Sequence, residues 1–129
     1  MKIDYINGLL QTSITITYKG KSIVIDKLVI DTGASHSLLS ADIVSLIDVF
    51  FENSDEIVNS YGIGGEESSY RKMFQRVQLG DFEILNFKLD IGALHEHLDI
   101  HGLIGLDLLI AANMIIDLNK LAIYPAIIN

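Results

Sequence analysis

The stretch VIDTGASHSLL, Val29 to Leu39, ends an apolar run on an aspartate and follows it at once with Thr32, Gly33, Ala34 and Ser35. An ionised carboxylate beside apolar side chains is costly unless hydrogen bonds or an opposite charge offset it. Two readings fit. Asp31 opens an ordinary turn, or the chain builds a site around it.

Working outward, the flanking sequence reads as many short strands. SITITY alternates Ile14, Ile16 and Tyr18 with Thr15 and Thr17, the period of a half-buried strand. Lys19-Gly20-Lys21 turns the chain, SIVI returns it, and a third apolar run, KLVI, leads into Asp31. After the stretch, Ser40 is a plausible N-cap for a helix with Ile43, Leu46 and Ile47 at helical spacing. EIVNSYGIGGEESSYRKMF predicts two strands joined by a glycine-rich tip. FEILNFKLDIG alternates again, with Leu85, Phe87, Leu89 and Ile91 on one side and Asn86, Lys88 and Asp90 on the other. GLDLLIAAN suits a short helix, and MIIDLNKLAIY two strands around an Asn119-Lys120 turn. With no internal repeat, linker or low-complexity segment, residues 1–129 are expected to form one mainly β domain with one or two short helices.

Composition narrows the function classes. Of 129 residues half are hydrophobic and one is proline, so a packed core is expected and disorder is not. The lack of cysteine excludes thiol catalysis, disulfides and thiolate metal sites. Nine basic residues against seventeen acidic ones leave a formal charge of -8, which argues against nucleic acid as a partner. The small basic cluster Arg71, Lys72 and Arg76 reads as the solvated face of a strand. The first residues lack an apolar signal core and no run reaches membrane-span length, so a soluble cytoplasmic protein is expected, without membrane association.

Three separated pieces fit one chemistry. Asp-Thr-Gly alone is a weak signal, but here a strand ends at Asp31, small residues follow, and Gly33 lets backbone approach a carboxylate closely. YGIGGEE, Tyr61 to Glu67, packs Gly62, Gly64 and Gly65 into a hairpin tip that could fold over a ligand. HGLIGLDLL, His101 to Leu109, brings a short apolar strand to Gly105 and starts a helix with Asp107 in its first turn.

In this order the pieces resemble the retropepsin-like aspartic proteases, single-domain relatives of the pepsin family, in their bacterial and cellular form. The resemblance runs from about Ile14 to Tyr124. It implies a closed, barrel-like β domain with the catalytic loop at Asp31, Thr32 and Gly33. Ala34, Ser35 and His36 would follow in the substrate site. The hairpin from roughly Ile57 to Tyr70 would be the flap, with Tyr61, Gly62, Ile63, Gly64 and Gly65 at its tip. Leu103, Ile104 and Gly105 would thread the site loop.

Peptide hydrolysis without a metal, cofactor or nucleophilic side chain needs an activated water and a proton donor for the carbonyl oxygen. Two carboxylates about 3 Å apart share one proton and supply both, the known behaviour of aspartic proteases. Thr32 would brace the loop through its hydroxyl, and N–H groups around Gly33 would reach the carboxylate. The chain has one Asp-Thr-Gly only, so the second carboxylate is expected from a second copy in a C2 homodimer acting on peptide or protein substrates. The apolar tail AIYPAIIN suits an interface strand, or an edge strand packed on its own core.

Competing readings are fewer. His95, His97 and His101, with Glu96 or Asp99, could bind zinc, but no H-E-x-x-H helix accompanies them and no metal is expected. The glycines lack the G-x-x-x-x-G-K-[ST] pattern of a phosphate cradle. The serious rival is a catalytically silent retropepsin-like dimerisation or peptide-binding module, since a fold does not secure a function. Such a module, however, has no chemical need for an intact Asp-Thr-Gly-Ala-Ser. A domain cut from a larger protein is a further possibility.

Overall fold

The computed structural model of the chain describes residues 1–62, 65–94 and 98–127. Strands β1 (Asp4–Ile6), β2 (Leu9–Tyr18) and β3 (Lys21–Ile30) form consecutive antiparallel hairpins. Their two-residue turns, Asn7-Gly8 and Lys19-Gly20, have positive φ throughout, the turn geometry that matches strand twist. After β3 come a loop at residues 31–37, β4 (Leu38–Ser40) and the single-turn helix α1 (Ala41–Val44). A long hairpin follows, β5 (Glu56–Gly62) and β6 (Gly65–Leu79), and β6 turns into β7 (Phe82–Gly92). The chain ends with β8 (Gly102–Ile104), helix α2 (Leu106–Ala111), and the hairpin β9 (Met114–Asp117) and β10 (Ala122–Pro125).

The sheet closes on itself. Its order β2-β3-β8-β4-β7-β6 is completed by pairing of β6 with β2 through Thr15↔Gln78, Ile16↔Val77 and Thr17↔Arg76, leaving β1 and β5 as outriggers. Closure hides the edges of those six strands and encloses Ile14, Ile16, Leu28, Leu39, Phe74 and Ile104, all at most 2% exposed. The fold is mainly β with two short α-helices. Among the described residues no helix is long and apolar enough to cross a membrane.

Four details depart from the pattern expected of the sequence. SIVI and KLVI are one strand, β3, which a bulge at Asp26-Lys27 bends; Lys27 takes φ 54°. The helix after Ser40 lasts one turn and tightens into a 3-10 turn over Ser45–Ile47. It buries Val44 and Ile47 and leaves Leu46 exposed, because 3-10 winding rotates Leu46 off the buried face. In β7, Asn86 takes φ 54° and interrupts the alternation, so Leu85 faces solvent while Phe87, Leu89 and Ile91 stay inward. Finally, Arg71 and Lys72 are no solvated face. Lys72 is 5% exposed and ion-paired with Glu52 and Asp55, and Arg71 is paired with Asp90 and Glu56. Two adjacent strand residues point to opposite faces, and here each meets carboxylates.

Candidate active site

The site is built where β3 ends. β8 lies between β3, parallel to it (Ile30↔Ile104), and β4, antiparallel to it (Leu38↔Leu103), so the 31–37 loop must arch over the end of β8. The Asp31 N–H donates to Ile104 O at 2.9 Å, extending the ladder one residue past β3. Asp31 is half-buried, and its Oδ1 accepts the Gly33 N–H at 2.9 Å. A Cβ on Gly33 would sit 3.2 Å from that oxygen, so glycine keeps the approach open. Ala34 N–H closes the turn on Asp31 O at 3.2 Å.

Beneath the arch the chain is locked to α2. Leu106 N–H donates to Ala34 O at 2.8 Å and Asp107 N–H to Ser35 O at 3.2 Å. Ser37 is 1% exposed; its hydroxyl donates to Asp107 Oδ1 at 2.7 Å and accepts the Gly105 N–H at 2.9 Å. Asp107 Oδ1 also accepts the N–H groups of Ser37 at 2.9 Å and Leu108 at 2.8 Å. Gly105 passes so close that a Cβ there would lie 2.8 Å from both Ala34 O and His36 C.

Above the loop lies a cleft of about 450 Å3, lined by Gly33 to Leu38 on one side, by Val58, Asn59, Glu67 and Ser69 of β5 and β6 on the other, and by Asp90 and Leu103. At its wall Arg71 holds Asp90 with two hydrogen bonds, Nε at 2.7 Å and Nη2 at 3.3 Å, and Glu56 with a third at 3.1 Å. The Asp90 hydrogen bond raises the Arg71 guanidinium above its ordinary value against the pull of burial.

The residues singled out in the sequence divide accordingly. Asp31, Thr32, Gly33, Ala34, Ser35 and His36 share one loop; Ser35 Oγ and His36 Nδ1 share a hydrogen bond of 3.2 Å. Thr32 is exposed, and among the described residues its hydroxyl has no hydrogen-bond partner, so it does not brace the loop within one chain. Leu103 reaches the cleft, whereas Ile104 and Gly105 do not line it. Ile104 is wholly buried in the core, and Gly105 supports the loop from below. Tyr61, Gly62 and Gly65 lie in the β5–β6 hairpin, with Gly62 opposite Gly65; Ile63 and Gly64 lie outside the described residues.

His95, Glu96 and His97 also lie outside them. Their companions are engaged elsewhere. His101 Nδ1 sits 3.0 Å from Asp26 Oδ1, and Asp99 pairs with Lys27. Among the described residues no group of three His, Asp or Glu side chains could hold a metal. Sequence reading missed Ser37 and the role of Asp107, along with the Arg71–Asp90 pair. Only the order Ser37, Gly105, Asp107 around the two loop pieces hinted at the first two.

A model of the aspartyl protease family matches residues 14–108. Among solved structures, a retropepsin-like aspartic protease from Rickettsia conorii superposes with a TM-score of 0.64 at 23% identity, covering 86% of this chain and 78% of that one. The retroviral protease-like domain of Ddi1 from Leishmania major gives 0.65 at 21% identity, covering 94% and 90%. No curated protein sequence matches the chain. The structural likenesses show the retropepsin-like fold, and the family model covers both the Asp31 loop and the Gly105 turn.

Proposed function

The chain belongs to the aspartyl protease family, and on that premise we propose that it is an aspartic endopeptidase. Its two active carboxylates are Asp31 and the same residue of a second copy, with residues 1–129 forming one protease domain. The observation that supports this most directly is Asp31 itself. Its N–H is held by Ile104 O at the end of β3 and one of its oxygens by the Gly33 N–H, beside a cleft of about 450 Å3.

In this mechanism the paired Asp31 carboxylates share one proton. The ionised member takes a proton from water as that water attacks the scissile carbonyl, and the protonated member donates to the carbonyl oxygen. The Gly33 N–H fixes which oxygen of Asp31 is turned into the loop and leaves the other for water. The β5–β6 hairpin acts as the flap, pairing with substrate backbone as an added strand and excluding solvent. Within one chain, Asp107 cannot be the partner, since its Oδ1 is already taken by three donors. Thr32, exposed and without a hydroxyl partner among the described residues, is free to contact the loop of a second copy in the proposed dimer.

Support for a second copy also comes from the tail. β10 is hydrogen-bonded on one side to β9 and on the other to residues 1–3, and the Ala126 N–H donates to Asn113 O at 2.8 Å, so among the described residues it is Ile127 that is left to meet a second copy. Ile127 is 90% exposed.

The test is digestion of a peptide library by wild type and Asp31→Asn side by side. The variant keeps size and one hydrogen-bond acceptor but cannot serve as base, so turnover falls by several orders of magnitude while the fold is retained. Cleavage undiminished in Asp31→Asn removes Asp31 from catalysis. A protein that binds peptides but cleaves none is the silent binding module.

A further inference from the structure

The face of the sheet that carries Leu38 and Leu103 to the cleft continues past Asp31 to β1. Directly paired residues share a face, so Asp4, Gln11, Val29, Leu103 and Leu38 stand in one row on β1, β2, β3, β8 and β4. Leu103 and Leu38 line the cleft at one end of this row. Asp31 follows Val29 by two residues, so strand spacing makes it the diagonal neighbour of Gln11, about 7–8 Å away.

Gln11 differs from the other buried polar groups. Five polar or charged side chains are buried among the described residues, and four of them are engaged. Thr12 donates to Lys2 O, Ser37 bridges Asp107 and Gly105, Lys72 meets Glu52 and Asp55, and Asp90 meets Arg71. Gln11 is 5% exposed, yet its amide has no hydrogen-bond partner among the described residues. Such a group costs stability unless something outside the fold, water or ligand, satisfies it. The amide is not sealed in: Gln11 lines a cavity of about 390 Å3, with Ser13, Asp26 and Lys27 also in its wall.

The charged groups around that cavity already have partners. Lys2 pairs with Asp4 at 3.5 Å and Lys27 with Asp99 at 3.0 Å. His101 Nδ1 lies 3.0 Å from Asp26 Oδ1, and the Met1 amine donates to Ile123 O. A charged ligand would compete with these contacts. What stays open is neutral: the carbonyl oxygen and the NH2 of Gln11, and the Ser13 hydroxyl, which also has no partner among the described residues. A second primary amide matches the first in two hydrogen bonds, one N–H to oxygen in each direction. A carboxylate offers no donor to the Gln11 oxygen, and an ammonium no acceptor to its NH2.

We propose that Gln11 forms a polar subsite of the substrate groove, across Asp31 from the aliphatic cleft wall, and that it takes the carboxamide side chain of an asparagine or glutamine in the peptide. This rests on the endopeptidase reading for the peptide as ligand; the preference for a carboxamide comes from Gln11 itself.

The test compares wild type with Gln11→Met, since methionine keeps the length and volume of glutamine and lacks its amide. Affinity is measured for peptides with a reduced, uncleavable bond that carry glutamine, asparagine, methionine or glutamate at each position near it. At one position wild type should prefer glutamine or asparagine over methionine by roughly five- to tenfold, the scale of one or two neutral hydrogen bonds. Gln11→Met should lose most of that preference. Its melting temperature should equal or exceed that of wild type, because no hydrogen bond within the fold is removed. Equal affinity for glutamine and methionine peptides, no affinity for either, or a preference that Gln11→Met leaves intact overturns the subsite. A preference lost in a Gln11→Met chain that melts well below wild type overturns it too, since the amide then serves the fold through bound water. Carboxamide-selective binding without cleavage of any peptide supports the subsite and removes the protease reading. Cleavage without such selectivity removes the subsite and leaves hydrolysis standing.

Discussion

The buried Ser37 hydroxyl bridges the two halves of the candidate site, donating to Asp107 Oδ1 at 2.7 Å while accepting the Gly105 N–H at 2.9 Å. That single oxygen ties the loop after Asp31 to the start of α2. Ser37→Ala leaves the Gly105 N–H buried without a partner and strips one of three donors from Asp107, at a cost of about 1–3 kcal/mol. Asp107→Asn retains an acceptor oxygen for the same donors and should cost less than Asp107→Ala. Urea unfolding of the three variants checks the order; Asp107→Asn as damaging as Asp107→Ala would mean that charge, not acceptor geometry, holds the bridge.

Gly33 and Gly105 flank the same loop but should fail differently when changed. A Cβ at Gly105 meets only backbone, at 2.8–2.9 Å from Ala34 O, His36 C and His36 O, so the loop itself must move. Gly105→Ala is therefore expected to cost about 3 kcal/mol, at the upper end for overpacking, and to abolish turnover with it. A Cβ at Gly33 meets one side-chain atom, Asp31 Oδ1 at 3.2 Å, in an exposed turn. Gly33→Ala should shift Asp31 and lower turnover at least tenfold, while the loss of stability stays below about 1 kcal/mol. Thermal unfolding and peptide turnover measured on both variants separate the two effects, and equal losses of stability would contradict the contrast.

If the reactive centre needs two copies of Asp31, activity must depend on association. At concentrations below the dimer dissociation constant the rate should rise with the square of protein concentration, and sedimentation at higher concentration should give twice 14.3 kDa. Deleting Ala126 to Asn129 should move the quadratic regime to higher concentration. A rate linear in protein throughout, from a species of single-chain mass, rules out the shared site.

Much of this arrangement was legible in the sequence because it depends on short-range signals. The period-2 burial of Ile14, Ile16 and Tyr18, the glycine turns and the Asp31 loop are local patterns, and the structure has strands, turns and loop at those places. What could not be read was long-range or conformational. Lys72 looks like any surface lysine until Glu52 and Asp55, twenty and seventeen residues away, are seen to cap it. Left-handed residues at Lys27 and Asn86 reset the alternation of β3 and β7; asparagine tolerates that conformation but lysine gives no such signal, and neither alone announces a bulge. Ile104 read as a site residue because it sits between Leu103 and Gly105, yet strand alternation turns its side chain into the core.

The Lys72 cluster gives the last prediction, which concerns pH. Lys72 Nζ lies 2.7 Å from Glu52 Oε1 and 2.6 Å from Asp55 Oδ2, and Glu52 N–H also donates to Asp55 Oδ2 at 2.8 Å. The clamp fixes the segment that leads directly into β5, and so the root of the long hairpin; Phe51 there packs edge-on against Tyr70 at 5.5 Å. The Lys72 hydrogen bond holds Glu52 below its ordinary 4.5. Burial pushes Asp55 up, but the bonds from Lys72 and the Glu52 N–H outweigh it and leave it below 3.8. Burial likewise opposes the charge on Lys72, and the two carboxylates overcome it, so its value rises above the ordinary 10.5. The signs follow from linkage. Carboxylates depressed in the folded state give stability that is complete above their unfolded values and disappears as pH falls through the folded ones. A raised lysine gives stability that is complete below 10.5 and is lost only above it. The clamp should therefore contribute a plateau from about pH 5 to 10 and fade in acid, below about pH 4. Lys72→Met strands two carboxylates and should cost about 2–3 kcal/mol near neutrality, less than a fully buried pair because Glu52 is 56% exposed. As pH drops and both carboxylates protonate, the gap between wild type and Lys72→Met should narrow. Urea unfolding of the two proteins from pH 7 down to 3 measures that gap directly, and a gap that stays constant across the range would show that Lys72 acts by packing its stem alone.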